Sequence, residues 1–180
     1  MSLAGVSVTF DGIPAPLLSV QAQKVVLIVP FGITDRTQTT IQAATNGAVS
    51  NAIRVPVSPT AVELLAVLNQ DGTPHSSSNP AAPGSVVTVY AAGLGQTNPP
   101  GVDGSTNGTG TLKTPITVSI QGYNAQMLYA GPAPGQVAGV SQINFLVPQL
   151  PPNAYWLSVG WSDQYLNEDA EVVPFWIGKQ

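Results

Sequence analysis

Val6-Ser-Val-Thr-Phe-Asp-Gly-Ile-Pro-Ala-Pro-Leu-Leu18 decides the fold of this chain, because the sequence nearly says it twice. Ile116-Thr-Val-Ser-Ile-Gln-Gly-Tyr-Asn-Ala-Gln-Met-Leu128 repeats the pattern of an alternating run, a turn pair ending in glycine, and a second apolar run. Gln23-Lys-Val-Val-Leu-Ile-Val-Pro30 is matched in the same way by Ser141-Gln-Ile-Asn-Phe-Leu-Val-Pro148. Each copy then runs through an alternating strand and a polar turn to a last strand containing Val-Pro, Val55-Pro56 in the first and Val173-Pro174 in the second. A repeat of this length implies two copies of one structural unit. The period is two: Val6, Val8 and Phe10 share one face and Ser7 and Thr9 the other. Tandem β-modules display, space or bind more often than they catalyse.

Composition narrows the class. The hydrophobic fraction of 43% is that of a globular chain, whereas charged residues make up only 8%, far below the usual quarter. Disorder would require the opposite combination. Ser, Thr, Asn, Gln and Gly carry the polar surface instead, a style that suits an exported β-protein. With five Lys and Arg against nine Asp and Glu, there is no basic stripe for nucleic acid or for an anionic membrane surface. The absence of cysteine removes disulfides, thiol catalysis and thiolate metal sites. No run approaches the ~20 apolar residues of a membrane-spanning helix, so membrane insertion is not expected. Met1-Ser-Leu-Ala-Gly5 has neither the basic nor the apolar region of a signal peptide, so an export signal would lie outside this chain.

Many short strands separated by Gly- and Pro-rich turns predict an all-β fold of two tandem β-sandwich units. The first is assigned to residues 1–60, a connector to 61–82, and the second to 83–180. Asn46-Gly47 is a hairpin signal between Thr39–Ala43 and Ala52–Val57. Val25–Val29 reads as a strand buried on both faces or crossing between sheets. Thr60–Leu68 is the best helix candidate, although it is too short for its period to decide. The second copy opens with a strand at Ser85–Tyr90 and a long loop from Gln96 to about Thr114. The first copy lacks both, so its N-terminal strand region is missing. Either residues upstream supply it, or another segment fills the open edge: Ala61–Asn69, or a strand from another chain.

Several motifs occur together and in order: Val-Thr-Phe-Asp-Gly-Ile-Pro-Ala-Pro-Leu-Leu from Val8, Leu-Asn-Gln-Asp-Gly-Thr from Leu68, Ser-Asn-Pro-Ala from Ser78, Gly-Leu-Gly-Gln-Thr-Asn-Pro from Gly93, and Val-Ala-Gly-Val-Ser-Gln-Ile-Asn from Val137. Across about Gly5 to Val173 they resemble the uncharacterised C-terminal domain of many large secreted proteins of acidobacteria, Solibacter especially. The half-repeats are similar to the IPT/TIG subclass of immunoglobulin-like domains. The resemblance implies that the two tandem units are immunoglobulin-like β-sandwiches, with a secreted or cell-surface location and no catalytic activity. The last segment, with Tyr155-Trp156, Trp161 and Phe175-Trp176, is more aromatic than the resemblance leads one to expect.

The chemistry-bearing residues point the same way. His75 is the only histidine; it lies in a loop, and a lone loop histidine is expected to be solvated. No Gly-x-Ser-x-Gly elbow accompanies it. Asp11-Gly12, Asp71-Gly72 and Asp103-Gly104 read as turns, and no Asp-x-Asp-x-Asp-Gly calcium loop is present. The places best suited to a structural calcium are the Gln96–Gly110 loop and the group Asp163, Glu168, Asp169 and Glu171. Gly93-Leu-Gly95 and Gly101–Gly104 lack the following helix that phosphate binding needs. No enzyme activity, metal or cofactor is expected.

The aromatic residues remain. All three tryptophans, Trp156, Trp161 and Trp176, fall in the last 26 residues. Alternation puts Tyr155, Leu157, Val159 and Trp161 inward, with Trp156, Ser158 and Gly160 outward. Likewise Val173, Phe175 and Ile177 face in and Trp176 faces out. Trp156 and Trp176 therefore share one outer surface, for which the first copy has only Thr40 near the position of Trp156. Such a pair anchors a protein contact or stacks on sugar rings. The expected partner is a protein or the parent chain, with polysaccharide as the alternative and a strand-mediated oligomer as the form an open edge would take.

Overall fold

Asp11 and Gly12 have φ of 50° and 82°, the backbone of a two-residue type I′ turn, which matches the right-handed twist of its strands. They join β1 (Val6–Phe10) to β2 (Ile13–Pro14), with Phe10 opposite Ile13 and Thr9 opposite Pro14. The computed structural model, which describes residues 1–161 and 170–179, continues the first copy with β3 (Leu17–Gln21), β4 (Lys24–Leu27), a 3-10 turn at Phe31–Ile33, β5 (Gln38–Thr45), β6 (Ala48–Val49) and β7 (Ile53–Pro56). Next come β8 (Glu63–Leu68), β9 (Val86–Ala92), β10 (Thr97–Asn98) and β11 (Thr111–Leu112). Then follow β12 (Ile116–Ile120), β13 (Tyr123–Asn124), β14 (Gln126–Pro132), β15 (Val140–Leu146), β16 (Asn153–Trp161) and β17 (Glu171–Ile177). The fold is all-β, with antiparallel ladders.

The repeated sequence carries a repeated hydrogen-bond register. Gln121 and Gly122, with φ of 51° and 83°, place Ile120 opposite Tyr123 and Ser119 opposite Asn124. Ala15 N–H donates to the Val8 carbonyl and Ala125 N–H to the Val118 carbonyl, both at 2.9 Å. The β3–β4 ladder shifts register between Leu17 and Ser19, and the β14–β15 ladder does so between the matching Met127 and Tyr129. Asp11 N–H meets the Thr40 carbonyl and Gln121 N–H the Trp156 carbonyl, each at 2.8 Å, so Thr40 and Trp156 are counterparts. The last strands differ from the sequence alignment by two residues. Thr39 pairs Val55 and its counterpart Tyr155 pairs Phe175, which sets Val55-Pro56 beside Phe175-Trp176 and not Val173-Pro174. Register follows main-chain pairing, and a proline in each strand is no guide to it.

In the second copy the sheets β13-β12-β16-β17 and β14-β15-β9-β8 face each other across one core. Val87, Val89, Ile120, Ile143, Phe145, Leu157, Val159 and Phe175 are sealed from solvent there. The first copy has β2-β1-β5 with β6 and β7 on β5, and a separate β3-β4 pair. Its core is smaller, with Val8, Phe10, Ala15 and Ile33 buried. The copies touch where Ile28 packs on Ala133 and Val140. They also touch where the Phe31 N–H donates to Asp103 Oδ1 at 2.9 Å and the Phe31 ring fills the space a Cβ at Gly101 would need. The Asn107 amide pins the 96–110 loop by donating to the Ala133 and Val140 carbonyls at 2.9 and 2.7 Å.

Three expectations are corrected. Thr60–Leu68 is not a helix; Glu63–Leu68 is a strand paired with β9, and Leu64 and Val67 pack on the second copy's core. That stretch, read as connector, therefore covers the outer edge of β9 and does not fill the first copy's edge. Val25–Val29 is covered on both faces only in part: Ile28 is buried against Ala133 and Val140, Val25, Val26 and Leu27 are half-buried, and Val29 is 51% exposed.

Phe145 and its counterpart Leu27 measure how complete the two cores are. Phe145→Ala is expected to destabilise the protein by about 3–5 kcal/mol, since a fully buried ring leaves a cavity. Leu27→Ala is expected to cost less than about 2 kcal/mol, because that side chain is only partly buried. Urea unfolding followed by circular dichroism checks both values, and equal losses would mean that the first core is as dry as the second.

Candidate functional site

The alternation of β16 and β17 places Trp156 and Trp176 as expected relative to the sheet. Trp156 lies opposite Pro174, and Trp176 opposite Ala154, so both side chains project from the same face as diagonal neighbours. Leu157, Val159, Phe175 and Ile177 point into the core; Tyr155 and Trp161, expected there too, are half-buried. Gly160 is buried rather than outward, because a Cβ there would run into Ala170. Trp156 and Val172 are each 53% exposed and flank Pro174, which is also exposed. The result is an apolar stripe on the outer face of β16 and β17. Trp176 differs: it is half-buried.

What covers Trp176 is His75, the residue whose surroundings the sequence reading missed. His75 is not a solvated loop residue. Its ring stacks on Phe175, with centroids 4.2 Å apart and planes 17° from parallel, and lies 5.8 Å from the Trp176 ring. The Trp176 main-chain N–H donates to His75 Nε2 at 3.0 Å. Nε2 therefore presents its lone pair, the proton sits on Nδ1, and Nδ1–H donates to Asn69 Oδ1 at 3.1 Å. Asn69 is held in turn by its amide donating to the Asn79 carbonyl at 2.9 Å. The His75 N–H reaches the Val67 carbonyl of β8 at 2.9 Å. One residue, by its ring to β17 and by its main chain to β8, thus links the edge strand of one sheet to the edge strand of the other.

The rest of the β17 edge is closed in the same place. Ala81 N–H donates to the Trp176 carbonyl at 3.0 Å, and Gly178 N–H to the Ala81 carbonyl at 2.9 Å. Since both main-chain groups of Trp176 face outward, Pro174, two residues earlier, presents its missing donor to the same side. A proline at an outward edge position costs no ladder bond and blocks further pairing.

The carboxylates near turns are used as structural acceptors. Asp11 accepts from Thr40 N–H and Thr39 Oγ1–H, both at 2.9 Å, and pairs with Arg36 at 2.6 Å. These hydrogen bonds, led by that from Thr40, hold its carboxyl below the ordinary value. Asp71 accepts from the Thr73 hydroxyl and N–H at 2.6 and 3.0 Å, which lowers it likewise. Asp103 receives Phe31 N–H. Among the described residues no three His, Cys, Asp or Glu side chains gather closely enough to hold a metal. Asp163, Glu168 and Asp169, named as calcium candidates, lie outside the described residues. The clefts are shallow; one is lined by Asn69, Asp71, Asn79, Ala82 and Ser85, another by Pro59, Thr60, Lys113, Pro115 and Trp161. No helix is long and apolar enough to cross a membrane among the described residues.

A scan against protein-family models finds no match, and no curated protein matches. Among solved structures, the chain is similar to dimeric latent PorU from Porphyromonas gingivalis at 16% identity and a TM-score of 0.37, over 97% of this chain and 19% of that one. The chain thus spans about a fifth of the length of that solved chain, and so distant a likeness carries no functional argument.

Burial lowers the pKa of His75 from its ordinary 6.5, because the imidazolium form is the one that loses solvation. Protonating Nε2 would also set a donor against the Trp176 N–H. The unfolded chain then binds the proton more readily than the folded one. The stabilisation from neutral His75 is fully present above pH 6.5 and is lost as pH falls through the lower folded value. We expect urea midpoints to fall between pH 7 and pH 5, above the range where Asp11 and Asp71 titrate. His75→Ala should lose about 1–3 kcal/mol at pH 8, where the Trp176 N–H is left without its acceptor, and should flatten the profile between pH 7 and 5. An unchanged midpoint in the variant would restore the solvated-loop reading.

Proposed function

We propose that this chain is a non-catalytic interaction module, built of two tandem immunoglobulin-like sandwich units and carried by a larger exported protein. It contacts a protein partner through the outer face of β16 and β17. The observation that carries the reading is the Trp156–Pro174–Val172 stripe: large apolar groups, more than half exposed in Trp156 and Val172, on a sheet whose inner face is already filled. Exposed aromatic anchors beside a flat apolar rim are the usual core of a protein contact. The low charge fraction and the resemblance to secreted acidobacterial domains support an extracellular setting. The way that the lone histidine and the turn carboxylates are consumed by structural hydrogen bonds favours a non-catalytic role.

Sugar stacking through the same tryptophans is less well supported. A platform for sugar rings needs two open faces, whereas Trp176 is half-buried, with the His75 ring 5.8 Å from its own. A photo-crosslinking residue in place of Trp156, in cells that make the protein, is expected to give a discrete protein adduct, with none from the same residue at Asp71. Retardation of the wild-type chain in a polysaccharide gel, abolished by Trp156→Ala and without any protein adduct, would transfer the site to carbohydrate binding.

A further inference from the structure

The second copy contains a worked example of what the first copy lacks. β15 is paired on both sides: β14 on one, β9 on the other. Its counterpart β4 is paired with β3 alone among the described residues. Ile28 N–H donates to the Pro16 carbonyl, so the even-numbered residues of this stretch turn their main-chain groups toward β3. Val25, Leu27 and Val29 turn theirs the other way. Their counterparts Ile143, Phe145 and Val147 are those that meet β9: Ile143 lies opposite Val89 and Phe145 opposite Val87, and Val147 N–H donates to the Ser85 carbonyl at 2.9 Å.

Burial tells the same story. Val147 is 2% exposed and Val29 51%. Ile143, Phe145, Leu157 and Val159 are fully buried, whereas Val25, Leu27, Ile41 and Ala43 at the matching positions are only partly so. The difference is the three residues Val87, Val89 and Ala91, which seal the second core from β9 and have no equivalent beside β4. The chain's own spare strand, β8, is committed to the far edge of β9. Ile28, on the opposite face of the strand, is covered by Ala133 and Val140, which leaves the edge itself as the open side.

We infer that the outer edge of β4 is an acceptor site for an extended polypeptide strand from outside these 180 residues, lying antiparallel to Lys24–Val29. The incoming segment has small β-branched or alanine side chains at alternate positions, in the manner of Val87-Thr-Val-Tyr-Ala91. Main-chain bonds to Val25, Leu27 and Val29 supply affinity, and the alternate side chains, inserted over Leu27 and Val25, supply selectivity. The surface is separate from the Trp156 stripe, so the two proposals stand or fall independently.

The probe is a synthetic peptide of Gly84–Ala92 sequence with terminal lysines for solubility, added to the full chain. It is expected to bind one to one, to raise the melting temperature, and to slow amide exchange at Val25 and Leu27 by about tenfold or more. N-methylation of the peptide at the positions of Val87 and Val89 removes the donors that face the acceptor edge and should abolish binding with the protein unchanged. Serine at those two positions should weaken binding at least about tenfold, through loss of buried apolar surface. Val25→Pro, which removes an outward N–H together with the Val25 side chain, should also abolish it; a variant that fails to fold leaves the N-methylated peptide as the deciding control. The inference is overturned if the peptide does not bind, or if the N-methylated peptide binds equally well. It is also overturned if the Val25 and Leu27 amides are already protected in the peptide-free monomer. Light scattering that shows a dimer with those amides protected would assign the edge to a second copy of this chain instead.

Discussion

Unpaired main-chain groups along a sheet edge must find partners, and in this protein that constraint governs more than the cores do. Charged side chains, lysine above all, are one of the usual guards of a sheet edge. With charged residues at 8%, this chain uses main-chain and ring acceptors. The β17 edge is capped by His75 and Ala81 and blunted by Pro174; the β9 edge is covered by β8, cut from the segment between the copies. Those devices consume the only histidine and most of the inter-copy segment. The β4 edge receives neither, and the smaller, only partly sealed core of the first copy follows from that omission.

The two copies accordingly show how much one strand contributes to a sandwich. Their hairpin turns, the Ala15 and Ala125 bonds and the register shifts in β3 and β14 agree pair by pair. What separates a core that seals Phe145 from one that leaves Leu27 only partly buried is the row Val87, Val89 and Ala91. The contacts between copies, Ile28 on Val140 and Phe31 against Gly101, shield one face of the weaker sheet. They bring no main-chain partner to its edge.

Much of this was legible in the sequence, for local physical reasons. Asp11-Gly12, Gln121-Gly122 and Asn46-Gly47 announce two-residue hairpins because the turn demands positive φ, and the Thr40–Trp156 correspondence follows once those turns are aligned. Period two gave the inner and outer faces of β16 and β17, and with them the surface shared by Trp156 and Trp176. The failures have one origin, pairing across long sequence separations. Thr60–Leu68 is apolar at nearly every position, so its period is silent, and only the β9 edge makes it a strand. His75 looked solvated because its acceptor role is toward Trp176, 101 residues away. The Val-Pro pairs misled because a proline is tolerated at several outward edge positions, while the ladder with β16 alone fixes the register.

The placement of aromatic residues has an optical consequence. Every tryptophan and every tyrosine belongs to the second copy or its loops; residues 1–89 contain neither. The first copy is therefore dark at 280 nm and silent in tryptophan emission. A preparation that lost it to a protease would keep nearly all its absorbance and the same emission chromophores, so mass rather than ultraviolet light has to certify that both copies are present.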